Sequence, residues 1–122
     1  MKQLYILAAL LLGLNLGVRA QSVITVSGDI SANTTWTSNN IYLLSGFVYV
    51  TNNAELTIEP GTVIKGDKAT KGSLIITRGS KIWADGTSSA PIVFTSNEPV
   101  GTRTYGDWGG LIVLGKASIN DP

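Results

Sequence analysis

The chain has 122 residues with nine basic and eight acidic side chains, a formal net charge of +1 at pH 7, and neither His nor Cys. This length allows one domain at most, and the near-neutral charge offers no basic field to attract nucleic acid or an anionic membrane. The lack of Cys excludes disulfides, and the lack of both residues excludes imidazole-assisted catalysis and structural zinc in this segment, so we expect no cofactor and no metal.

Residues 1–20 have the pattern of a secretory signal peptide. Lys2 precedes an apolar run from Leu4 to Leu14, and small residues surround Arg19 at the end of the segment. The run is short for a bilayer span and is followed by a cleavage pattern, although a retained N-terminal anchor is the alternative. The pattern predicts an exported protein with no membrane span after cleavage.

Beyond Gln21 the chain consists of short β-branched or aromatic runs bounded by Gly, Asn, Asp or Pro. No window has apolar residues at helical spacing. The runs are VITV, IYLL, FVYV, ELTI, TVIK, SLIIT, KIWA, PIVFT and GGLIVL. Short runs of this composition between turn residues predict an all-β domain.

A repeated frame runs through these strands. Two apolar residues separated by one position are followed by a turn residue and by a further apolar residue eight positions after the first. Three such strands per circuit, recurring after about 26 residues, predict a right-handed, single-stranded parallel β-helix of about two to three circuits. The inward columns expected on its three faces are Val48, Leu74 and Leu111; Leu56, Ile82 and Ile119; and Ile64 and Ile92.

Two alternatives compete with this interpretation. A shorter register pairs Leu56 with Leu74 and Gly61 with Gly79 and gives a closer letter match, but it makes two strands per turn and leaves the IVF run unpaired. A β-sandwich also has short strands every eight to twelve residues. The apolar pairs that recur in one frame favour the β-helix.

The sequence divides into three parts. Residues 1–20 are the signal peptide, residues 21–46 an N-terminal cap with the first strands, and residues 47–122 the β-helix circuits. Trp36 is expected to lie across the lower end as part of the cap. The last circuit stops after Ile119. The end of a β-helix has unpaired backbone N–H and C=O groups, which a cap or further strands must cover. We therefore expect the C-terminal edge to continue into further circuits; the alternative is that a partner covers it.

Three strings carry a family resemblance: LTIEPGTVIKGD, GSLIITRGSKIWADGTSSAPIVFTS and GDWGGLIVLGKASIN. They resemble the N-terminal part of large secreted β-helix proteins of Bacteroidota, over nearly everything from Gly28 to Asn120. The resemblance implies an extracellular or outer-surface protein of a Gram-negative bacterium, often sorted by a C-terminal segment for type IX secretion. No such segment is visible in this sequence, and the resemblance supplies no catalytic motif.

Four residues are candidates for a binding site. Strand alternation points Trp83 outward, and Tyr105, Asp107 and Trp108 lie on or beside the longest corner insertion. Exposed aromatic rings on a flat β-surface can stack on sugar rings while Asp and Arg bond the hydroxyl groups, and solenoids place binding residues on such loops. The alternative is structural: Trp108 folds back under its loop, and Trp83 packs against a neighbouring insertion.

The carboxylates give no catalytic site. A polysaccharide lyase needs a Lys or Arg base beside acidic residues that hold Ca²⁺. Asp67 and Asp85 follow strands and have basic neighbours, but they fall on different faces, where isolated Asp residues ordinarily cap turns. We assign no catalytic residue and no metal ligand.

The sequence leads to two functional hypotheses. The first is an exported, non-enzymatic cell-surface or secreted scaffold that presents loops for binding or adhesion, with a glycan or another surface ligand as its partner. The alternative is a carbohydrate-active β-helix, lyase-like, hydrolase-like or glycan-binding, whose site lies mostly outside this segment. The sequence leaves open whether the protein is an enzyme, and it favours a non-enzymatic role.

Overall fold

A computed structural model describes residues 21–117, which form nine β-strands. Among these residues no helix is long and apolar enough to cross a membrane. The predicted signal peptide and the column position of Ile119 lie outside the described residues. The strands are β1 (Ser22–Ile30), β2 (Thr34–Trp36), β3 (Asn40–Val50), β4 (Glu55–Ile58), β5 (Val63–Gly66), β6 (Ser73–Ile76), β7 (Lys81–Ala84), β8 (Val93–Ser96) and β9 (Gly110–Val113).

The strands coil into a parallel β-helix with three faces, as the repeat predicts. The strand pairs of the described residues are all parallel, in one sheet of order β8-β5-β3-β6-β9, with β1 also on β3, and a second of order β2-β4-β7. The long strand β3 bends at Gly46, whose φ is 69°. Its first half pairs with β5 and its second half with β6, so the larger sheet supplies two faces. We call the face of β6 and β9 the first, that of β2, β4 and β7 the second, and that of β5 and β8 the third.

The aliphatic column on the first face is confirmed, and so is the Leu56–Ile82 pair of the second face. Val48 lies opposite Leu74, and Leu74 lies opposite Leu111; on the second face Leu56 lies opposite Ile82. Val48, Leu56 and Leu74 have no exposed surface. The protein therefore uses the longer of the two registers between β3 and β6, and the pairing of Leu56 with Leu74 is wrong.

The predicted column on the third face is wrong by two positions. Ile64 lies opposite Phe94, not Ile92, so this circuit is longer than the one from Val48 to Leu74. Ile92 and Phe94 have the same alternation, and both pack partly buried against the core. The hydrogen-bonded ladder between β5 and β8 begins only after Ile92, where the Val93 N–H donates to the Thr62 carbonyl. Two residues earlier, Pro91 has no N–H and cannot extend this ladder toward the N-terminus. Spacing alone could not choose between the two residues.

The N-terminal segment is more regular than its sequence indicates. Strands β1 and β2 pair in parallel with β3 and β4, so they form a circuit of their own. Trp36 does not lie across the end of the coil: it lies opposite Ile58, is 3% exposed, and belongs to the core. Its ring stacks on Tyr42, with centroids 4.7 Å apart and planes at 15°. A large aromatic pair fills the space that aliphatic residues fill in later circuits.

Corners between the first and second faces use the turn residues that the repeat predicts. Asn52 and Asn53 have φ of 58° and 56°, and Gly79, one circuit later, has φ of 90°. Asn and Gly tolerate this left-handed backbone better than other residues. A Cβ on Gly79 would overlap the Asn53 Oδ1, so the glycine also allows the two corners to stack.

Candidate functional site

The longest corner insertion, residues 97–109, is fastened to the coil by one buried carboxylate. We call this insertion the corner loop; it connects β8 to β9. The Asp107 side chain is 1% exposed, and its Oδ2 accepts hydrogen bonds from the Ser96 Oγ at 2.9 Å and the Thr104 backbone N–H at 3.0 Å. Its Oδ1 lies 3.6 Å from the Lys68 Nζ. Asp107 therefore joins the loop to the end of β8 and to the corner that follows β5.

The hydrogen bonds of Asp107 hold its side chain in the ionised form. The Thr104 N–H is the main cause of a pKa below the ordinary value for Asp. Burial acts in the opposite direction, while the Ser96 hydroxyl and the Lys68 ammonium lower the pKa further. At neutral pH the group is a hydrogen-bonded anion, which suits it to fixing the loop rather than to donating a proton.

Two further contacts hold the loop but leave the Tyr105 side chain exposed. Trp108 is half-buried against the core and lies directly over Gly66, where a Cβ would overlap the Cβ of Trp108. The Lys71 Nζ donates a hydrogen bond to the Gly106 carbonyl. Tyr105 is 98% exposed. Trp108 thus folds back under its loop, as the structural alternative expects, and Tyr105 is the aromatic residue that the loop presents.

We expect the Asp107→Asn variant to lose part of the acid sensitivity of the fold. Because the folded-state pKa is lowered, the ionised form stabilises the protein above the unfolded pKa of about 4, and this stabilisation disappears as the pH falls through the folded value. The free energy of unfolding, measured by denaturant titration at a series of pH values, should fall less steeply below about pH 4 in the variant.

Asp85→Asn is the matched control, because Asp85 is an exposed carboxylate. It should follow the wild-type pH profile. Equal profiles for wild type and Asp107→Asn would contradict the fastening role.

Trp83 lies on the outer surface of the second face, as alternation predicts. Its side chain is 51% exposed, and its Nε1–H donates to the Glu55 Oε2 at 3.2 Å. The other oxygen of that carboxylate, Oε1, lies 3.5 Å from the Lys81 Nζ. The indole is thus oriented by an ion pair on the same face. The sequence did not connect Glu55 and Lys81 with Trp83, although the circuit that pairs Leu56 with Ile82 places Glu55 and Lys81 opposite each other.

The four candidate residues do not form one site. Trp83 belongs to the three-stranded sheet, whereas Tyr105, Asp107 and Trp108 belong to a loop that joins strands of the other sheet. Of the three loop candidates, only Tyr105 is fully exposed; Asp107 is buried and Trp108 half-buried. The structure therefore offers two separate candidate surfaces.

The other carboxylates considered from the sequence do not converge. Asp67 Oδ2 accepts hydrogen bonds from both the backbone N–H and the hydroxyl of Thr70, at 3.1 and 2.7 Å, which confirms its turn-capping role. Asp85 follows β7 on the second face and is exposed. Among residues 21–117 no group of three or more His, Cys, Asp or Glu side chains could hold a metal ion.

The chain matches a known family model over most of its length. Residues 28–122 match the family model described as a pectate-lyase like beta helix domain. No curated protein and no solved structure matches the chain. The matched range includes all the strands from β2 to β9, together with the end of β1.

Proposed function

The chain belongs to the pectate-lyase-like β-helix family, and from this premise we propose that it is an exported, non-enzymatic scaffold whose corner loop binds a surface partner. The observation that carries this proposal is the contrast within the loop. Asp107 and Trp108 fix the loop to the coil, whereas the side chain of Tyr105, between the anchored residues Thr104 and Gly106, is 98% exposed. A loop that is already ordered loses less conformational entropy when it binds.

The hydrogen bonds of Asp67 and Asp107 within the fold support a scaffold rather than a lyase. A lyase or hydrolase of this fold needs acidic groups aimed at the substrate. Here the Asp107 Oδ2 accepts from Ser96 and Thr104 while its buried Oδ1 faces the Lys68 ammonium, and the Asp67 Oδ2 accepts from Thr70. Both groups fix corners of the coil, so their geometry serves the fold.

Export and cellular location are a further part of the proposal. The charged, apolar and small-residue regions of residues 1–20 support a secretory signal peptide. The resemblance to secreted β-helix proteins supports a Bacteroidota host and an outer-surface or extracellular location reached by type IX secretion. Mass spectrometry of the chain recovered from its host should give an N-terminus at Gln21 outside the inner membrane. An uncleaved chain in the cytoplasm would contradict this proposal.

The binding role is tested with the Tyr105→Ala variant. Fluorescently labelled chain is applied to an array that carries surface polysaccharides and extracellular-matrix proteins. Because a protruding aromatic side chain is a common anchor of binding energy, we expect the variant to lose about tenfold in affinity. Phe47→Ala, which removes an exposed aromatic ring from the first face, is the matched control and should bind like wild type. Equal binding by Tyr105→Ala, or no binding by wild type, would contradict the role of the loop.

A carbohydrate-active β-helix is the second candidate function. It is favoured by one observation, the oriented and exposed indole of Trp83 beside the Glu55–Lys81 ion pair. The stacked strands of a parallel β-helix form a long surface along which a polysaccharide can lie. An Asp cluster with a Lys or Arg on one stacked face of further circuits would favour an enzyme of this class over the scaffold.

A further inference from the structure

We propose that the outer surface of the second face is a binding site for a neutral pyranose ring, with Trp83 as its stacking platform. This inference deepens the second candidate function and rests on it for the class of ligand. It places the sugar site within the described part of the chain. It is also independent of the corner loop.

The indole is held across the face of the sheet. Trp83 lies opposite Thr57 in the ladder, yet its Nε1–H reaches Glu55, two positions back along β4. The ring therefore extends diagonally over the outer surface of β4 and β7, with half of the side chain exposed to solvent. An aromatic face carries partial negative charge, which attracts the polarised C–H groups on the flat side of a pyranose.

The hydrogen bond to Glu55 orients the platform before a ligand arrives. A free surface tryptophan samples several rotamers and loses that freedom on binding. In this protein the Nε1–H is already directed to a carboxylate that is itself paired with Lys81. The ring can then receive a sugar at a smaller entropic cost.

Hydrogen-bonding groups surround the ring. The Glu55 and Lys81 side chains are 41% and 61% exposed, so the carboxylate can accept from a sugar hydroxyl and the ammonium can donate to one. On the axis of the coil, Thr57 and Thr35 continue the outward ladder below Trp83, and both are exposed. An extended oligosaccharide lying along this ladder would meet one hydroxyl in each circuit.

Charge selects a neutral sugar over a uronate. Glu55 and Lys81 compensate each other, while Glu59 and Asp85, which directly follow β4 and β7, are exposed carboxylates. The strand ends next to Trp83 therefore carry two carboxylates, whereas the basic Lys116 lies at the other end of the face, where it lines a cavity with Glu55 and Lys81. A galacturonate or glucuronate would bring a further negative charge to this surface, and like charges repel.

The test is calorimetric titration of the full chain with two hexasaccharides, cellohexaose as the neutral probe and hexagalacturonate as the acidic one. We expect wild type to bind cellohexaose and Trp83→Ala to bind it about tenfold more weakly, because the central stacking contact is lost. Trp83→Phe keeps an aromatic face but loses the bond to Glu55, so its affinity should fall between the two. Phe47→Ala is the control for losing an exposed aromatic ring elsewhere, and thermal unfolding midpoints confirm that each variant is folded.

Each outcome supports or overturns the site. No binding of cellohexaose by wild type, or tighter binding of hexagalacturonate, overturns the neutral-sugar site. Binding that Trp83→Ala leaves unchanged overturns the site but retains a carbohydrate function located elsewhere. Neither result bears on the scaffold role, which depends on Tyr105.

Discussion

Replacing Leu74 with alanine should lower the free energy of unfolding by about 2–5 kcal/mol, the range for large-to-small changes in a buried core. Leu74 has no exposed surface and lies between Val48 in the preceding circuit and Leu111 in the next. The substitution removes apolar contacts and leaves a cavity in the middle of a column. Because the rigid coil can collapse only in part around that cavity, we expect a large loss.

Ile112→Ala is the matched control for Leu74→Ala. Ile112 is a neighbour of Leu111 in β9, but it points outward and is 43% exposed. Its substitution should cost no more than about 0.5 kcal/mol, as is typical of surface positions. Both values come from denaturant unfolding with circular dichroism detection. Equal losses for the two variants would mean that the columns do not carry the stability of the coil.

The columns could be predicted because the sequence pattern indicates both which strand residues point inward and how many residues make one circuit. The frame of apolar pairs reveals the circuit from Val48 to Leu74. The next circuit, from Leu74 to Leu111, is longer because it contains the corner loop. The insertion lies between strands and does not interrupt the apolar pairs, so the same frame still predicts Leu111 as the partner of Leu74. Ile64 shows the limit: Ile92 and Phe94 share its alternation, and only the path of the preceding corner decides that Phe94 is the partner.

The candidate surfaces were predictable to different degrees. The exposure of Trp83 follows from alternation alone, because a strand turns every second side chain outward. Its orientation depends on Glu55, which is distant in sequence and lies on the neighbouring strand. The burial of Asp107 could not be read from the sequence, because it depends on how the corner loop folds back onto Ser96 and Lys68. Loop paths are set by such tertiary contacts, which local composition does not encode.

The Gly72→Ala variant should lose about 3 kcal/mol of stability, at the upper end of the range for overpacking. Gly72 ends the corner between β5 and β6, and a Cβ there would overlap the Leu44 carbonyl oxygen and lie 2.9 Å from the Asp67 backbone nitrogen. Both neighbours are backbone atoms. They are joined by a hydrogen bond from the Asp67 N–H to the Leu44 carbonyl at 3.0 Å, and the Gly72 N–H donates to the Asp67 carbonyl at 2.9 Å. A methyl group can therefore enter only if the corner moves.

Movement of this corner would also reach the corner loop. The Gly109 N–H donates to the Gly72 carbonyl at 2.9 Å, and Lys71 bonds to Gly106, so the two corners are directly connected. Gly115→Ala is the matched control, because a Cβ there meets nothing within 4 Å. It should unfold at the wild-type denaturant concentration, whereas Gly72→Ala should unfold earlier and expose the amides of residues 97–109 to faster hydrogen exchange. If Gly72→Ala were as stable as Gly115→Ala, the close approach of the circuits at Leu44 would be refuted, and with it the rigid support of the loop.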